Sequence, residues 1–421
     1  MTDQAQKEDG RTTQVFNLAV VGCGQIATHH LEAIASQLEG KVALSALCDP
    51  SAERRYILAN LAASQKLLSF KDTHTAPEEY ESLDNMIADD ATFSNIDILF
   101  IAVPHDLHES LALQALDTNK IVVLEKPLAP TISACNRLVS RSEQLLMSPE
   151  SQGMLIIAEQ SPYWESVILA RELIAEGKIG RIVTGAAYYY ESMRDNITSG
   201  SVDANGGLGW RGSIARAGGG IAIDGGLHWI RPLREMLGRI DEVVAVTRHG
   251  LATELGMEGE SLAHAILKIE PPTDDDDDSS DIDNPLAQPK GSGCLVATYS
   301  CNMLATAPMA HDMCPYFRIT GTKGELVIAG DGLSKGTPGA GRLRMYDEQH
   351  PNGVDMTPTD QIGGFFLGFS GLWSEVYRIC VQKDNEKAHE SVLRAADDVR
   401  TVMAMYKSAE TGGWISTASV N

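Results

Sequence analysis

The chain has 421 residues, room for two domains, and 34 basic against 57 acidic side chains give it a net charge of -23. So acidic a surface repels nucleic acid and anionic membranes, which excludes both as partners. Seven cysteines (Cys23, Cys48, Cys135, Cys294, Cys301, Cys314 and Cys380) with no CxxC pair and no metal-ligand spacing read as free thiols in a reducing compartment, with no metal.

Residues 1–15 carry Asp3, Glu8 and Asp9 and no apolar run, so a disordered tail is expected rather than a signal or transit peptide. No apolar stretch reaches the length of a bilayer span, and a cytoplasmic protein is expected.

The first organised stretch is Phe16–Asp49. The apolar run Leu18–Val21 stops at Gly22-Cys23-Gly24-Gln25-Ile26-Ala27 and passes into a helical pattern, and a second apolar run, Val42–Leu47, ends at Asp49. Strand, glycine turn, helix, strand and acid is the arrangement a dinucleotide requires. Gly22 permits the sharp turn, Gly24 lets backbone approach a pyrophosphate, and Ala27 lets helix and strand pack closely. The helix N-terminus then faces the phosphates with Gln25 and Ile26 in its first turn. Asp49 is placed to accept both adenine-ribose hydroxyls. NAD is the expected cofactor, and Arg54 and Arg55 on the next helix leave NADP possible.

Up to residue 160 the pattern alternates. Strands are expected at 17–21, 42–47, 67–70, 96–103, 121–125 and 154–159, with helices at 25–38, 51–64, 80–89, 108–118 and 131–146. That predicts an N-terminal Rossmann domain, a doubly wound parallel sheet over residues 16–160. Two of its strand ends carry chemistry, because ligands bind at the carboxyl ends of parallel strands. One is Ala102-Val103-Pro104-His105-Asp106-Leu107-His108, whose Ala102, Pro104, His105 and His108 are candidate cofactor contacts. The other is Glu125-Lys126-Pro127, where the lysine is expected to aim its ammonium into the crevice.

From 161 the texture changes. Helices are expected at 164–176 and 223–237, separated by a strand over 181–190 and a glycine-rich loop. β-type runs follow at 242–249, 262–270, 294–302, 315–321, 324–329 and 342–347, and two helices close the chain. Residues 161–421 are therefore expected to form an α+β domain with a large, mostly antiparallel open sheet, for substrate binding and oligomerisation. The segment 271–293, with five consecutive aspartates, lacks the glycine turn and closing acid of a calcium loop and reads as a solvated insert without chemistry.

After three glycines, Asp224 and His228 stand four apart. On one helix they would share a face, with the carboxylate orienting the imidazole as a general base. By position alone, Gln160, Tyr163, Trp164, Tyr190, Trp210 and Arg211 are candidate substrate contacts.

From Phe16 onward the chain resembles the glucose–fructose oxidoreductase / inositol dehydrogenase (Gfo/Idh/MocA) family. The likeness rests on the Gly22–Ala27 turn, Asp49, the Pro104–His108 stretch, Glu125-Lys126-Pro127, the Asp224/His228 pair, and the stretches 319–328 and 406–415. The resemblance implies an NAD(P)-dependent oxidoreductase acting on a hydroxyl or carbonyl of a sugar, cyclitol or similar polyol. Lys126 would polarise the reacting oxygen and Asp224/His228 would handle its proton. It also implies a homodimer or homotetramer built through the open sheet. Two departures stand out: His105 occupies a position where asparagine is common, and Arg231 one where an acid is common, which would favour an anionic substrate. Relatives of this architecture also include dinucleotide-sensing regulators and NAD-using glycosidases, and both remain alternatives.

Overall fold

The structure is a computed structural model that describes residues 14–65, 67, 76–148, 150–190, 208–250, 256–270, 285–286, 294–304, 316–329, 341–357 and 367–420. Most of the N-terminal tail, most of the strand expected at 67–70, the first part of the glycine-rich loop and nearly all of the acidic insert lie outside the described residues.

The first half is a six-stranded parallel sheet. Its strands are β1 (Phe16–Val21), β2 (Val42–Cys48), β3 (Glu78–Tyr80), β4 (Ile98–Ile101), β5 (Ile121–Glu125) and β6 (Met154–Ala158), in the order β3-β2-β1-β4-β5-β6. All its pairings are parallel. β4 is Ile-Leu-Phe-Ile and buried throughout, the texture of a strand covered on both faces. Helices α1 (Gln25–Gln37), α2 (Ala52–Ser64), α3 (Leu83–Ala88), α4 (Asp90–Phe93), α5 (His108–Leu116) and α6 (Ile132–Leu146) connect the strands. The edge strand is Glu78–Tyr80, where no strand was expected, and the single helix expected over 80–89 is two short ones. Ser82 and then Asp89 each accept a hydrogen bond from the N–H three residues on, which starts a fresh helix at each point.

The second half opens with α7 (Glu165–Ala175) and β7 (Ile182–Tyr190), followed by α8 (Ile214–Ala217) and α9 (Leu227–Leu237). Its sheet adds β8 (Arg239–His249), β9 (Glu260–Glu270), β10 (Leu295–Asn302), β11 (Phe317–Gly321), β12 (Gly324–Ala329), β13 (Arg342–Asp347), β14 (Val354–Asp355) and, near the C-terminus, β15 (Ile415–Ser416). The strand order is β14-β13-β12-β11-β7-β10-β9-β8-β15. Only the β10–β7 pairing is parallel among these, so the sheet is mixed and mostly antiparallel, as expected. One face packs against the helices. The other presents cross-strand rows such as Val244–Ile266–Thr298–Ala186–Arg318. Within the insert, the Pro285 carbonyl accepts the Ile182 N–H (2.7 Å) and Leu286 packs on the core, so this part is docked on the sheet.

Two long helices end the chain, α10 (Leu367–Gln382) and α11 (Asn385–Thr411). α10 returns to the parallel-sheet half: Phe369, Trp373, Val376 and Cys380 share one apolar cluster with Leu18, Leu31 and Ile34. The Trp373 indole N–H donates to His30 Nδ1 (2.9 Å) in that cluster. An indole can only donate, so His30 carries its own proton on Nε2 and donates it to Glu125 (2.7 Å). Trp373→Phe keeps an aromatic ring but orphans the buried His30 acceptor. Unfolding free energy should fall by about 1–3 kcal/mol in urea titrations, and no loss would show that His30 does not depend on this donor.

Candidate active site

Both halves deliver groups to the carboxyl edge of the parallel sheet. At the centre, Gly22 has φ +93 and a Cβ built on it would lie 2.3 Å from the Ala102 carbonyl oxygen, so only glycine lets the turn lie against the end of β4. A Cβ on Gly24 would meet nothing within 4 Å. No side chain caps the N-terminus of α1 at Gly24. An open face over uncapped N–H groups is the cradle a pyrophosphate fits. Asp49 closes the same turn: Oδ2 accepts the Cys23 N–H (2.9 Å) and Oδ1 the Ser51 N–H (2.8 Å), leaving further lone pairs for ribose hydroxyls.

β5 ends in Glu125 and delivers Lys126. Glu125 is buried, accepts from His30, and accepts the Lys126 N–H on its other oxygen (2.9 Å). The Lys126 ammonium crosses to the second half, donating to the Asp224 carbonyl (3.0 Å) and to Asp224 Oδ1 (3.2 Å). Arg211 Nε donates to Asp224 Oδ2 (3.1 Å), and its guanidinium lies over the Trp210 ring (4.4 Å). Burial by itself would push the Asp224 carboxyl up, but Lys126 and Arg211 hold it far below the usual carboxylate range.

The expected Asp224–His228 pairing is not what orients the imidazole. α9 begins at Leu227, so Asp224 lies in the turn before it and the helical four-residue relation does not apply. The carboxylate on His228 Nδ1 is Glu159, one residue beyond β6, at 2.9 and 3.1 Å. Burial opposes ionisation of Glu159, yet His228 and Arg231 hold its carboxyl at about 2, so it is charged at neutral pH. A carboxylate only accepts, so Nδ1 carries the proton and Nε2 is the basic nitrogen of the neutral ring. Glu159 was legible by the rule that singled out Lys126, a residue just past a parallel strand.

Other expected contacts separate. Trp210 and His105 remain at the site: the rings lie 4.5 Å apart, and His105 Nε2 is 3.9 Å from Asp224 Oδ1. Burial pushes His105 well below its usual pKa, and its Nδ1 is 2.9 Å from the Ala217 carbonyl. His108 is fully buried, with Nδ1 2.7 Å from the Pro127 carbonyl and Nε2 3.0 Å from the Val103 carbonyl; burial keeps the ring neutral, so it donates to one of the two, and neither nitrogen is open to a cofactor. Arg231 points into the core, where Nε donates to Asp398 of α11 (2.6 Å), and it does not select an anionic substrate. Trp164 is core, edge-on to Trp229 at 5.5 Å. Tyr163 packs beneath α10, where a Cβ on Gly371 would lie 2.8 Å from the Tyr163 Cβ. Gln160 is buried beside it, and the Tyr190 hydroxyl meets Ser300 Oγ (3.0 Å) on the mixed sheet.

The loop carrying Asp224 has its own anchor. Buried Glu260 accepts the N–H groups of Gly220 and Ala222 (both 2.8 Å) and the Tyr406 hydroxyl (2.9 Å).

Residues 16–145 match a family described as "Oxidoreductase family, NAD-binding Rossmann fold", and residues 167–327 match the GFO/IDH/MocA C-terminal domain. The chain belongs to the GFO/IDH/MocA oxidoreductase family. It is 27% identical over 162 residues to inositol 2-dehydrogenase of Salmonella typhimurium, covering 38% of this chain and 42% of that protein. It is 25% identical over 181 residues to a glycosyl hydrolase family 109 protein of a Shewanella species, covering 43% and 36%. The aligned part thus spans about two fifths of the length of these curated relatives. In three dimensions it resembles levoglucosan dehydrogenase solved with NADH and L-sorbose (TM-score 0.69, 18% identity, 96% of this chain and 98% of that one). It also resembles the WlbA dehydrogenase of Bordetella pertussis solved with NADH and UDP-GlcNAcA (TM-score 0.66, 19% identity, 96% and 99%).

The two glycines of this family member separate folding from binding. Gly22→Ala should destabilise the fold by about 1–3 kcal/mol through the forced contact and positive φ. Gly24→Ala should leave the melting temperature unchanged while weakening NADH, because its methyl occupies the phosphate approach. Equal effects of the two on melting would contradict this geometry.

Proposed function

We propose that this protein is an NAD(P)-dependent oxidoreductase that moves a hydride between the nicotinamide and a hydroxyl or carbonyl carbon of a sugar, cyclitol or related polyol. The observation that carries it is Lys126 and His228, each held by its own carboxylate, beside a glycine turn shaped for a dinucleotide. The nicotinamide, when bound, supplies the two-electron redox chemistry. Lys126 binds the reacting oxygen and stabilises the negative charge that develops there. His228 Nε2 takes the hydroxyl proton, and Glu159 keeps Nδ1 protonated and favours the charged ring that results. Asp224 holds the ammonium in place, and Arg211 on Trp210 borders the same point. The named relatives, an inositol dehydrogenase and a dehydrogenase solved with L-sorbose, support a polyol as substrate.

A panel of sugars, inositols and sugar acids assayed for NAD(P)H at 340 nm tests the reading. The glycosyl hydrolase family 109 relatives make glycoside cleavage without net NADH the second reading. NADH binding with neither activity would indicate a sensor. His228→Ala should lower turnover by about 10²–10⁴-fold. Glu159→Gln should lower it too and move the acid limb of the pH–rate profile to lower pH, because the charged ring loses its partner. Asp224→Asn should slow the reaction without that displacement. An acid limb that moves only in Asp224→Asn would return the orienting role to Asp224.

The open sheet face supports self-association, since Val246, Ile266 and Val296 stand exposed on neighbouring strands. The parent should run as a dimer or tetramer in light-scattering chromatography, and Val246→Asp/Ile266→Asp should lower its mass. A monomeric parent would remove this part of the proposal.

A further inference from the structure

The adenosine end of the cleft lies away from Lys126. β3 runs beside β2, with Leu47 opposite Glu79 and Cys48 opposite Tyr80, so Glu79 and Glu81 arrive at the same carboxyl edge as Asp49. The Asp49 N–H donates to the Tyr80 carbonyl (3.1 Å). α2 follows at once, capped by Ser51, with two arginines in its first turn. The two differ. Arg54 is exposed, whereas Arg55 is buried against the strand ends. Its Nη1–H donates to the Asp49 carbonyl, and its Nε–H donates to Glu79 Oε2 at 2.9 Å.

A guanidinium in contact with the residue that takes the adenine ribose is the group that would receive a 2′-phosphate, by its planar fork of donors. In this chain the fork is already engaged and its charge balanced. We propose that Glu79 is a cofactor-specificity residue: by holding Arg55 it withholds the guanidinium from a 2′-phosphate, so NAD is selected at two carboxylates, Asp49 and Glu79, acting by different means. Asp49 accepts ribose hydroxyls and repels phosphate directly. Glu79 acts through Arg55, which would have to give up an ion pair before meeting the phosphate. Glu81, beside it, adds to the negative field. This inference rests on the dinucleotide reading of the glycine turn.

The test is direct binding. The parent, Glu79→Gln and Glu79→Gln/Arg55→Met are titrated with NADH and with NADPH, following nicotinamide fluorescence. The parent should prefer NADH. Glu79→Gln should tighten NADPH by about tenfold while NADH stays within about twofold, and the double variant should lose the gain. Glu79→Ser provides the same comparison should Glu79→Gln lose NADH binding through misfolding. An unchanged NADPH-to-NADH ratio, with NADH still bound, overturns the proposal. A gain that survives in the double variant overturns it too, because lost carboxylate charge would then suffice without Arg55. A parent that binds neither nucleotide would instead bring down the dinucleotide reading, and this inference with it.

Discussion

The ammonium of Lys126 stands at the seam between two architectures, and the carboxylate and carbonyl of Asp224 hold it there. The lysine comes from the end of a buried parallel strand, the aspartate from a turn that leads into α9. Neither half alone places this pair. Arg211 donates to the other oxygen of the same carboxylate, so the three charges form one cluster. Docking of the two halves therefore brings Lys126 and Asp224 together, and the rest of the structure serves to make that docking unique.

That uniqueness comes from buried polar groups, each meeting a partner distant in sequence. Glu125 is fixed by His30, and His30 by Trp373 of α10, so a helix near the C-terminus determines how the strand carrying Lys126 ends. Glu260 and Tyr406 hold the glycine turn that carries Asp224, and Gly219 and Gly220 leave no room there for side chains. Arg231 and Arg234 meet Asp398 of α11 beneath His228. Unpaired, each of these groups would be costly, so they act as a register that apolar packing alone cannot supply.

The cleft also separates its tasks along its length. The groups proposed to move a proton and steady an oxyanion are Lys126 and His228, each held by a carboxylate, Asp224 and Glu159. The groups proposed to discriminate between nucleotides, Asp49, Arg55 and Glu79, lie at the ends of β2 and β3.

Much of this was legible in the amino-acid sequence. The alternation of apolar runs and helical patterns determined the parallel sheet, and Gly22, Gly24 and Asp49 marked the turn, because these signals act over a few residues and obey local sterics. The residue after a parallel strand pointed to Lys126 for the same reason. What tertiary structure alone decided is who meets whom. Spacing of four suggested that Asp224 orients His228, but the turn before α9 breaks the helical relation and Glu159 takes the imidazole instead. Arg231 looked available to a substrate, and α11 claims it; His108 looked available to a cofactor, and two strand-end carbonyls claim it. For His228 and Arg231 the deciding partner is remote in the chain. A side chain's own sequence neighbourhood shows its chemistry, but burial assigns its hydrogen bonds, and burial is a property of the packed whole.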